Sequence, residues 1–353
     1  MNFDARGSDA VHAIYDFGAR HILQDIKETA DKTARARGRK IHIVAESDLN
    51  DVRLLLPPAQ GGYGIDAQWS DDFHHMAHVA LTGERQGYYE DYVEMEQFPK
   101  LMEHTFVLDG CYSPRRGRSH GGADAGLPGD RFCIQNHDQI GNRACGERLN
   151  ALVSPAAQRL AASLLLLAPY LPLLFMGEEY GEEHPFQFFY SFSDSALIEN
   201  VRRGRRREFE SFHAHGGKVP DPQDEATFAA SRLTWSWEAD PRKAGLRCLY
   251  QDLLRFRREC PALRDYSQRS ARMIPDAQSG AILELVRGGR RPDAGGIIQA
   301  FFNLTAQPQS LPFQDLPAPL WRSEAPHYDG ERRAGMPHDL LLPYECLVFG
   351  STQ

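Results

Sequence analysis

The chain has 353 residues, enough for a large core and more than one domain. Its composition, 42% hydrophobic and 25% charged, is that of a globular protein and excludes a fibrous or disordered one. A formal net charge of −8 argues against nucleic acid or an anionic membrane as partner, since both need a basic face; a neutral substrate remains open.

The first residues, DAVHAIYDFGARHILQDI, read as a strand end, a loop and a helix. RKIHIVAESD is a β-branched run, Ile41 to Ala45, that ends in carboxylates. SDDFHHMAHVALTG puts Phe73, Met76, Ala77, Ala80 and Leu81 on one helical face, with Gly83 as a stop. HTFVLDG is a weaker strand. RFCIQNHD is a third, running straight into the polar cluster Gln135, Asn136, His137, Asp138 and Gln139. SPAAQRLAASLLLLA predicts a helix capped by Ser154 with Pro155 at its first position. PLLFMGEEYG is a fourth strand, Leu173 to Met176. RRGRRREFE, Arg202 to Glu210, reads as a solvated helix face. AGLRCLYQDLLRFRREC spaces Leu246, Tyr250, Leu253, Leu254 and Phe256 as a helix, with Pro261 beyond it.

Strands alternating with helices imply parallel strands joined by crossovers, and five such units fit before about residue 260. The polar clusters fall at strand carboxyl ends, which is the functional face of a (β/α)8 barrel. After residue 265 the texture changes to short strands, GAILELVRG, GIIQAFFNLT, QSLPF and ECLVFG, separated by Gly, Pro and Asn turns. The expected fold class is therefore α/β: the carboxyl-terminal portion of a (β/α)8 TIM barrel, about strands 4 to 8, followed by a small antiparallel β domain. The expected domains are residues 1–262, a partial barrel, and 263–353, a carboxyl-terminal β-sandwich.

The cysteines, at 111, 133, 145, 248, 260 and 346, form no C-x-x-C pair. Reduced thiols in a cytoplasmic protein are expected, not a metal cluster or a disulfide framework. The polar start MNFDARGSDA carries no export signal. The most apolar stretch, Leu160 to Met176, is too short and too Pro-rich to span a membrane.

Three strand ends present an acid: Asp9, Glu46 and Asp138. Cleaving a glycosidic bond with retention needs one carboxylic acid to protonate the leaving oxygen. It also needs one carboxylate, about 5 Å away, to attack the anomeric carbon. A third acid can hold sugar hydroxyls more tightly in the transition state. A single acid at a strand end more often caps the next helix; three with such flanks favour chemistry. Glu46, behind an apolar run, is placed to have its pKa raised by burial, as an acid catalyst requires.

DAVHAI, AESDLND and QNHDQIGNR resemble the signature regions of the α-amylase superfamily, glycoside hydrolase family 13. GGYGIDAQWSDDFHH, LLFMGEEYGEEHPFQFF and VPDPQDEATF narrow the likeness to the branch that cuts trehalose from the end of maltooligosyltrehalose. The resemblance covers nearly the whole chain, about residue 9 to 350. It implies Asp9 as nucleophile, Glu46 as general acid/base and Asp138 as transition-state stabiliser. It implies substrate contacts from His12, Asn136, His137, Asp71 and Asp72, an α-1,4-glucan such as maltooligosyltrehalose as partner, and neither metal nor cofactor. The Gln60–Gly64 loop is a rim loop or a plain turn. Trp69, Tyr63 and Phe186 are sugar-stacking candidates or core residues.

Two departures stand out. The family carries an Arg two residues before the nucleophile, where this chain has Gly7; Arg6 is one place off, and only Asp4 and Asp9 onward keep the register. Asp9 would end the fourth barrel strand, so strands one to three and the family's amino-terminal β domain are expected to be missing. That leaves room for a separate polypeptide supplying the rest of the barrel. The alternatives to a trehalose-releasing hydrolase are a 1,4-α-glucan branching transferase and an inactive, truncated glucan-binding remnant.

Overall fold

The computed structural model describes residues 5–122, 131–210, 217–274, 282–289 and 296–350. Strands β1 (Ala5–Ser8), β2 (His42–Ala45) and β3 (Ala67–Gln68) form one parallel sheet in that order, with Ser8 opposite Ala45 and Ala45 opposite Gln68. Helix α1 (Ile22–Ala36) is the crossover from β1 to β2, and its Leu23 packs with Ile43, Ala45 and Ile65. Helix α2 (Asp71–Thr82) follows β3 directly, burying Phe73, Met76 and Ala77, and stops at Gly83, whose φ of 75° a residue with a side chain adopts only at a cost. Helix α3 (Phe98–His104) and the hairpin of β4 (Tyr112–Ser113) and β5 (Arg118–Ser119) come next.

Strand β6 (Arg131–Phe132), the short helix α4 (His137–Gly141), helix α5 (Pro155–Leu167) and strand β7 (Leu171–Pro172) continue the pattern, with β6 and β7 paired in parallel. Ser154 caps α5 by accepting from the Ala157 N–H at 3.2 Å. Helices α6 (Ser195–Glu208), α7 (Glu225–Ala230), α8 (Pro241–Glu259) and α9 (Pro261–Arg264) complete this part. The basic run lies on α6 and its arginines largely face solvent; Arg205 is the exception, buried over the Phe188 ring and donating to the Gly141 carbonyl at 3.3 Å.

An antiparallel sheet closes the chain: β8 (Arg269–Ile274), β9 (Ile282–Gly288), β10 (Ile297–Asn303), β12 (Trp321–Arg322) and β14 (Cys346–Gly350), in the order β12-β14-β10-β9-β8. A small pair, β11 (Gln309–Ser310) and β13 (Leu340–Leu341), lies in sequence between its strands. This is the arrangement expected: later strands of a (β/α)8 barrel, then antiparallel β structure. One apolar cluster runs from Phe73 on α2 through Leu160 and Leu164 on α5 to Leu283, Phe302 and Val348 of the sheet. Polar locks reinforce it. Arg159 on α5 makes a buried two-pronged bond to Glu324 at 2.8 and 2.7 Å. The fully buried Arg287 of β9 donates to the carbonyls of Leu167, Leu263 and Asp265, and burial pulls its pKa down to about 9.

Three sequence expectations need correction. HTFVLDG is not a strand: the Val107 and Leu108 N–H groups donate to the Asp72 carboxylate at 2.6 and 3.0 Å. A side chain thus replaces the strand neighbour that a buried backbone otherwise needs. The strand filling that place is β3, too short to show a period. The PLLFMGEEYG strand lies earlier, at Leu171–Pro172, where Leu173 N–H closes onto the Phe132 carbonyl at 2.8 Å before the chain turns at Gly177. On α8, Leu254 is exposed, and the buried face continues through Leu249 and Arg257 instead. Asp4, the start of GAILELVRG and the Arg6 side chain lie outside the described residues.

Candidate active site

The register of the parallel sheet builds the site. Ser8 and Ala45 are cross-strand partners, so Asp9 and Glu46 are the next residues out, side by side at the carboxyl ends of β1 and β2. The backbone locks them. Glu46 N–H donates to the Ser8 carbonyl at 2.8 Å, and Val11 N–H returns the bond to the Glu46 carbonyl at 3.1 Å. Ala10, held in the left-handed region at φ 48°, aims its N–H at the Glu46 carboxylate, 2.6 Å from Oε2. Trp69 N–H bonds the Ala45 carbonyl at 2.9 Å, so α2 begins beside Glu46 and brings Asp71 with it.

Asp138 arrives from β6. The polar cluster that follows this strand is organised by a capping box: Asn136 Oδ1 accepts from the Asp138 N–H at 2.7 Å, and Gln139 Oε1 accepts from the Asn136 N–H at 2.9 Å. Gln135 turns inward and accepts from the Leu149 N–H at 3.0 Å. The buried members thus satisfy backbone, and His137 and Asp138 are left half-exposed at the strand mouth, 3.6 Å apart. One polar atom each from Asp9, His137 and Asp138 lie within 4.8 Å of one another. Among the described residues this is the one trio whose donor atoms could hold a cation. The pair that a retaining mechanism needs is a different one, Asp9 and Glu46, which the strand register sets side by side.

The electrostatics separate the acids. Glu46 is raised to about 7: burial is the main cause, opposed by the Ala10 N–H, and the charges of Asp71, Asp9 and Asp138 push the same way as burial. Asp138 is also raised, by burial first, with His137 pulling against Asp9 and Asp71. For Asp71, burial is outweighed by the bond to His74 and by the His74 and His75 rings, so its carboxyl sits below its usual value. Near neutral pH Glu46 is therefore able to keep a proton and give it up, as the acid in glycosyl transfer must.

The other predicted residues divide. His12 stands on the rim, 3.8 Å from Asp48, which Arg116 holds at 2.8 Å. Trp69 meets the His137 ring edge-on at 6.4 Å, at the mouth of the site. Tyr63 instead stacks on His21, and Phe186 packs edge-on against Phe175 and Phe189. In the Gln60–Gly64 loop the backbone turns so tightly that a Cβ on Gly62 would lie 2.0 Å from the Leu56 carbonyl oxygen. Asp72 is the correction. It points away from Asp71 into the core and accepts from Asn50, Tyr92, Val107 and Leu108, so no lone pair faces the hollow. Sequence reasoning missed His74, Gln139, Asp48 and Arg116. The three-residue spacing of Asp71 and His74 on a helix was the available signal for the first. Gln139, three residues after Asn136, had the spacing of a capping box; Asp48 and Arg116 have no local signature. Gly7, where the family carries Arg, has open space: a Cβ there would meet no heavy atom within 4 Å.

No family model matches the chain. The malto-oligosyltrehalose trehalohydrolase of Saccharolobus solfataricus is 46% identical over 253 residues, 71% of this chain and 42% of that protein. Its counterpart from Arthrobacter ramosus is 39% identical over 321 residues, 87% of this chain and 55% of that protein. A crystal structure from Salmonella typhimurium, named as an α-amylase, superposes with a TM-score of 0.80 at 32% identity, covering 99% of this chain and 57% of its own. The chain spans about half the length of the curated relatives it matches. Over the part it spans, it is a member of the malto-oligosyltrehalose trehalohydrolase branch of the α-amylase superfamily.

Proposed function

We propose that this chain carries the catalytic carboxylates of a retaining glycoside hydrolase that cuts the α-1,4 bond next to the trehalose end of maltooligosyltrehalose. Asp9 attacks the anomeric carbon while Glu46 gives its proton to the departing oxygen, releasing trehalose and leaving a glycosyl ester on Asp9. Water then gives a proton to Glu46 and its oxygen to the anomeric carbon, freeing Asp9. Asp138 strengthens its hold on the sugar hydroxyls as the ring flattens, with His137 beside it. His12, Asn136 and Asp71 complete the surround, Asn136 acting through the capping box.

The observation that carries this reading is Glu46, raised to about 7 by burial and by the charges of Asp71, Asp9 and Asp138 around it. In the same reading residues 1–262 form a partial catalytic barrel and 263–353 a carboxyl-terminal β-sandwich domain. The remaining barrel strands come from outside this stretch of sequence, on the same polypeptide or on a separate one, and the reaction takes place in the cytoplasm. Six unpaired cysteines agree with a reducing compartment. Among the described residues no helix is long and apolar enough to cross a membrane.

The test is to incubate the chain with maltooligosyltrehalose, alone and mixed with the upstream half of a relative, and to assay free trehalose. Trehalose in either sample supports the reading. Branched glucan in place of trehalose, or no product in both, overturns it.

A further inference from the structure

His74 lies on α2, almost fully buried, and a single atom of its ring faces two partners. Its Nε2 is 3.2 Å from Asp71 Oδ1 and 3.1 Å from the side-chain nitrogen of Gln139. The Gln139 amide cannot turn over freely, because its oxygen already accepts from the Asn136 N–H in the capping box. Its nitrogen is therefore what meets the imidazole, and an amide nitrogen only donates. Asp71, whose carboxyl is held below its usual value, only accepts. A ring nitrogen carries either one hydrogen or one lone pair. With the hydrogen it serves Asp71 and opposes Gln139; with the lone pair it serves Gln139 and opposes Asp71. The opposite ring nitrogen does not decide the matter, since Nδ1 is buried with no hydrogen-bond partner in either form.

The two claimants belong to different parts of the site. Asp71 begins the helix after β3 and its charge acts on Glu46. Gln139 is one residue from Asp138, on a five-residue helix that is also gripped from behind, where Arg143 makes a two-pronged bond to Glu84 at 2.9 and 3.1 Å. We propose that His74 is a positioning residue that couples Asp71 to the Asp138 turn, its Nε2 holding one of them at a time, so that contact of a sugar with Asp71 transfers the hold to Gln139 and fixes Asp138. The inference rests on the glycosidase reading for its purpose, but not for its geometry. A sugar hydroxyl donating to Asp71 satisfies the carboxylate that the ring would otherwise serve. The hydrogen then moves to Nδ1 through solvent exchange, and Nε2 accepts from Gln139.

The experiment has two arms. In the first, nitrogen-15 spectra of the histidine rings are recorded for the full chain and for the variants Asp71→Leu and Gln139→Leu. Removing Asp71 is expected to move the His74 Nε2 resonance toward the lone-pair form, and removing Gln139 toward the hydrogen-bearing form. Shifts in the same direction, or none, overturn the proposal. This arm needs no turnover, so an inactive chain would sink the hydrolase reading without touching it.

The second arm measures trehalose release for His74→Gln, His74→Asn and His74→Met in whichever sample is active. Glutamine places a donor and an acceptor near the Nε2 position and serves both neighbours; asparagine is one carbon short, and methionine fills the space with neither group. The expected result is a loss in kcat of about tenfold or more for Asn and Met with KM nearly unchanged, and recovery of most of it by Gln. Equal losses in all three, as simple packing would give, overturn the coupling. If a His74 variant does not fold, Gln139→Glu, which keeps an oxygen for the Asn136 N–H but replaces the amide donor that faces His74, is assayed in its place. A kcat loss with unchanged KM supports the proposal, and full activity overturns it.

Discussion

Ala10 and Glu46, 36 residues apart in sequence, are joined by a 2.6 Å bond from a left-handed backbone N–H to a carboxylate oxygen. The bond favours the charged form of Glu46, yet burial and three neighbouring acids outweigh it and leave the group at about 7. A hydrogen bond that fixes position while the surroundings keep the proton on suits a group that must be both aimed and acidic.

The alkaline side of the activity profile follows. Turnover is expected to fall as pH rises through about 7, where Glu46 loses its proton. Glu46→Gln keeps an oxygen for the Ala10 N–H but has no proton to give. It should lower kcat by at least about a hundredfold, with sugar affinity changed little. Rates measured from pH 5 to 9, alongside calorimetric binding of a maltooligosaccharide, check both. Retained turnover in Glu46→Gln would remove this residue from the acid role.

Asp72 predicts a contrasting result. Replacing it with Ala strips the bonding partner from the Val107 and Leu108 N–H groups, the Asn50 amide and the Tyr92 hydroxyl, all in the core. The expected loss is on the order of 3 kcal/mol or more, seen in urea unfolding. A folded Asp72→Ala protein that unfolds like the parent would show that these bonds contribute little.

Stability should also depend on pH through Glu178. This buried carboxyl accepts from the Tyr250 hydroxyl at 2.9 Å, and burial raises it to about 7. A carboxyl whose folded pKa exceeds its unfolded value binds its proton more tightly when folded, so its contribution is full below about 4.5 and is lost as pH rises toward 7. The swing is roughly 3 kcal/mol. Glu178→Gln should flatten the decline between those pH values, as chemical denaturation at a series of pH values would reveal; an unaltered slope would contradict the assignment.

Gly7 offers a gain-of-function test. An arginine there has open space for its Cβ and reaches from β1, two residues before Asp9. Gly7→Arg should pair with Asp9 and raise kcat/KM by about threefold to tenfold, the scale of one charged hydrogen bond that is partly exposed. Unchanged kinetics would mean that the nucleophile is already oriented without it.

The legible parts of this chain were those written in local pattern. The β2 run and its terminal Glu46, the Ser154–Pro155 start of α5 and the Gly83 stop of α2 are each specified within a few neighbouring residues. Asp9, Glu46 and Asp138 could be nominated because each follows a strand. What stayed hidden depends on distant partners. β3 is two residues long and exists because Ala45 and Gln68 meet across the sheet. The apolar run at Phe106–Leu108 imitates a strand, and only Asp72 coming from another element explains why it is not one. Asp71 and Asp72 are adjacent and chemically identical in sequence; successive helical positions point about 100° apart, so one faces the hollow and the other the core.

The Arg159–Glu324 pair bears on protein engineering. Because Arg159 lies on α5 and Glu324 in the turn that follows β12, the carboxyl-terminal β structure is not an interchangeable cassette. A chimera joined near residue 265 would inherit Arg159 from one parent and need its acid from the other. A shortened chain ending before Glu324 would leave a guanidinium stranded in the apolar interior. Recombination libraries in this family should therefore cross over outside the span from Arg159 to Glu324, or carry both residues together.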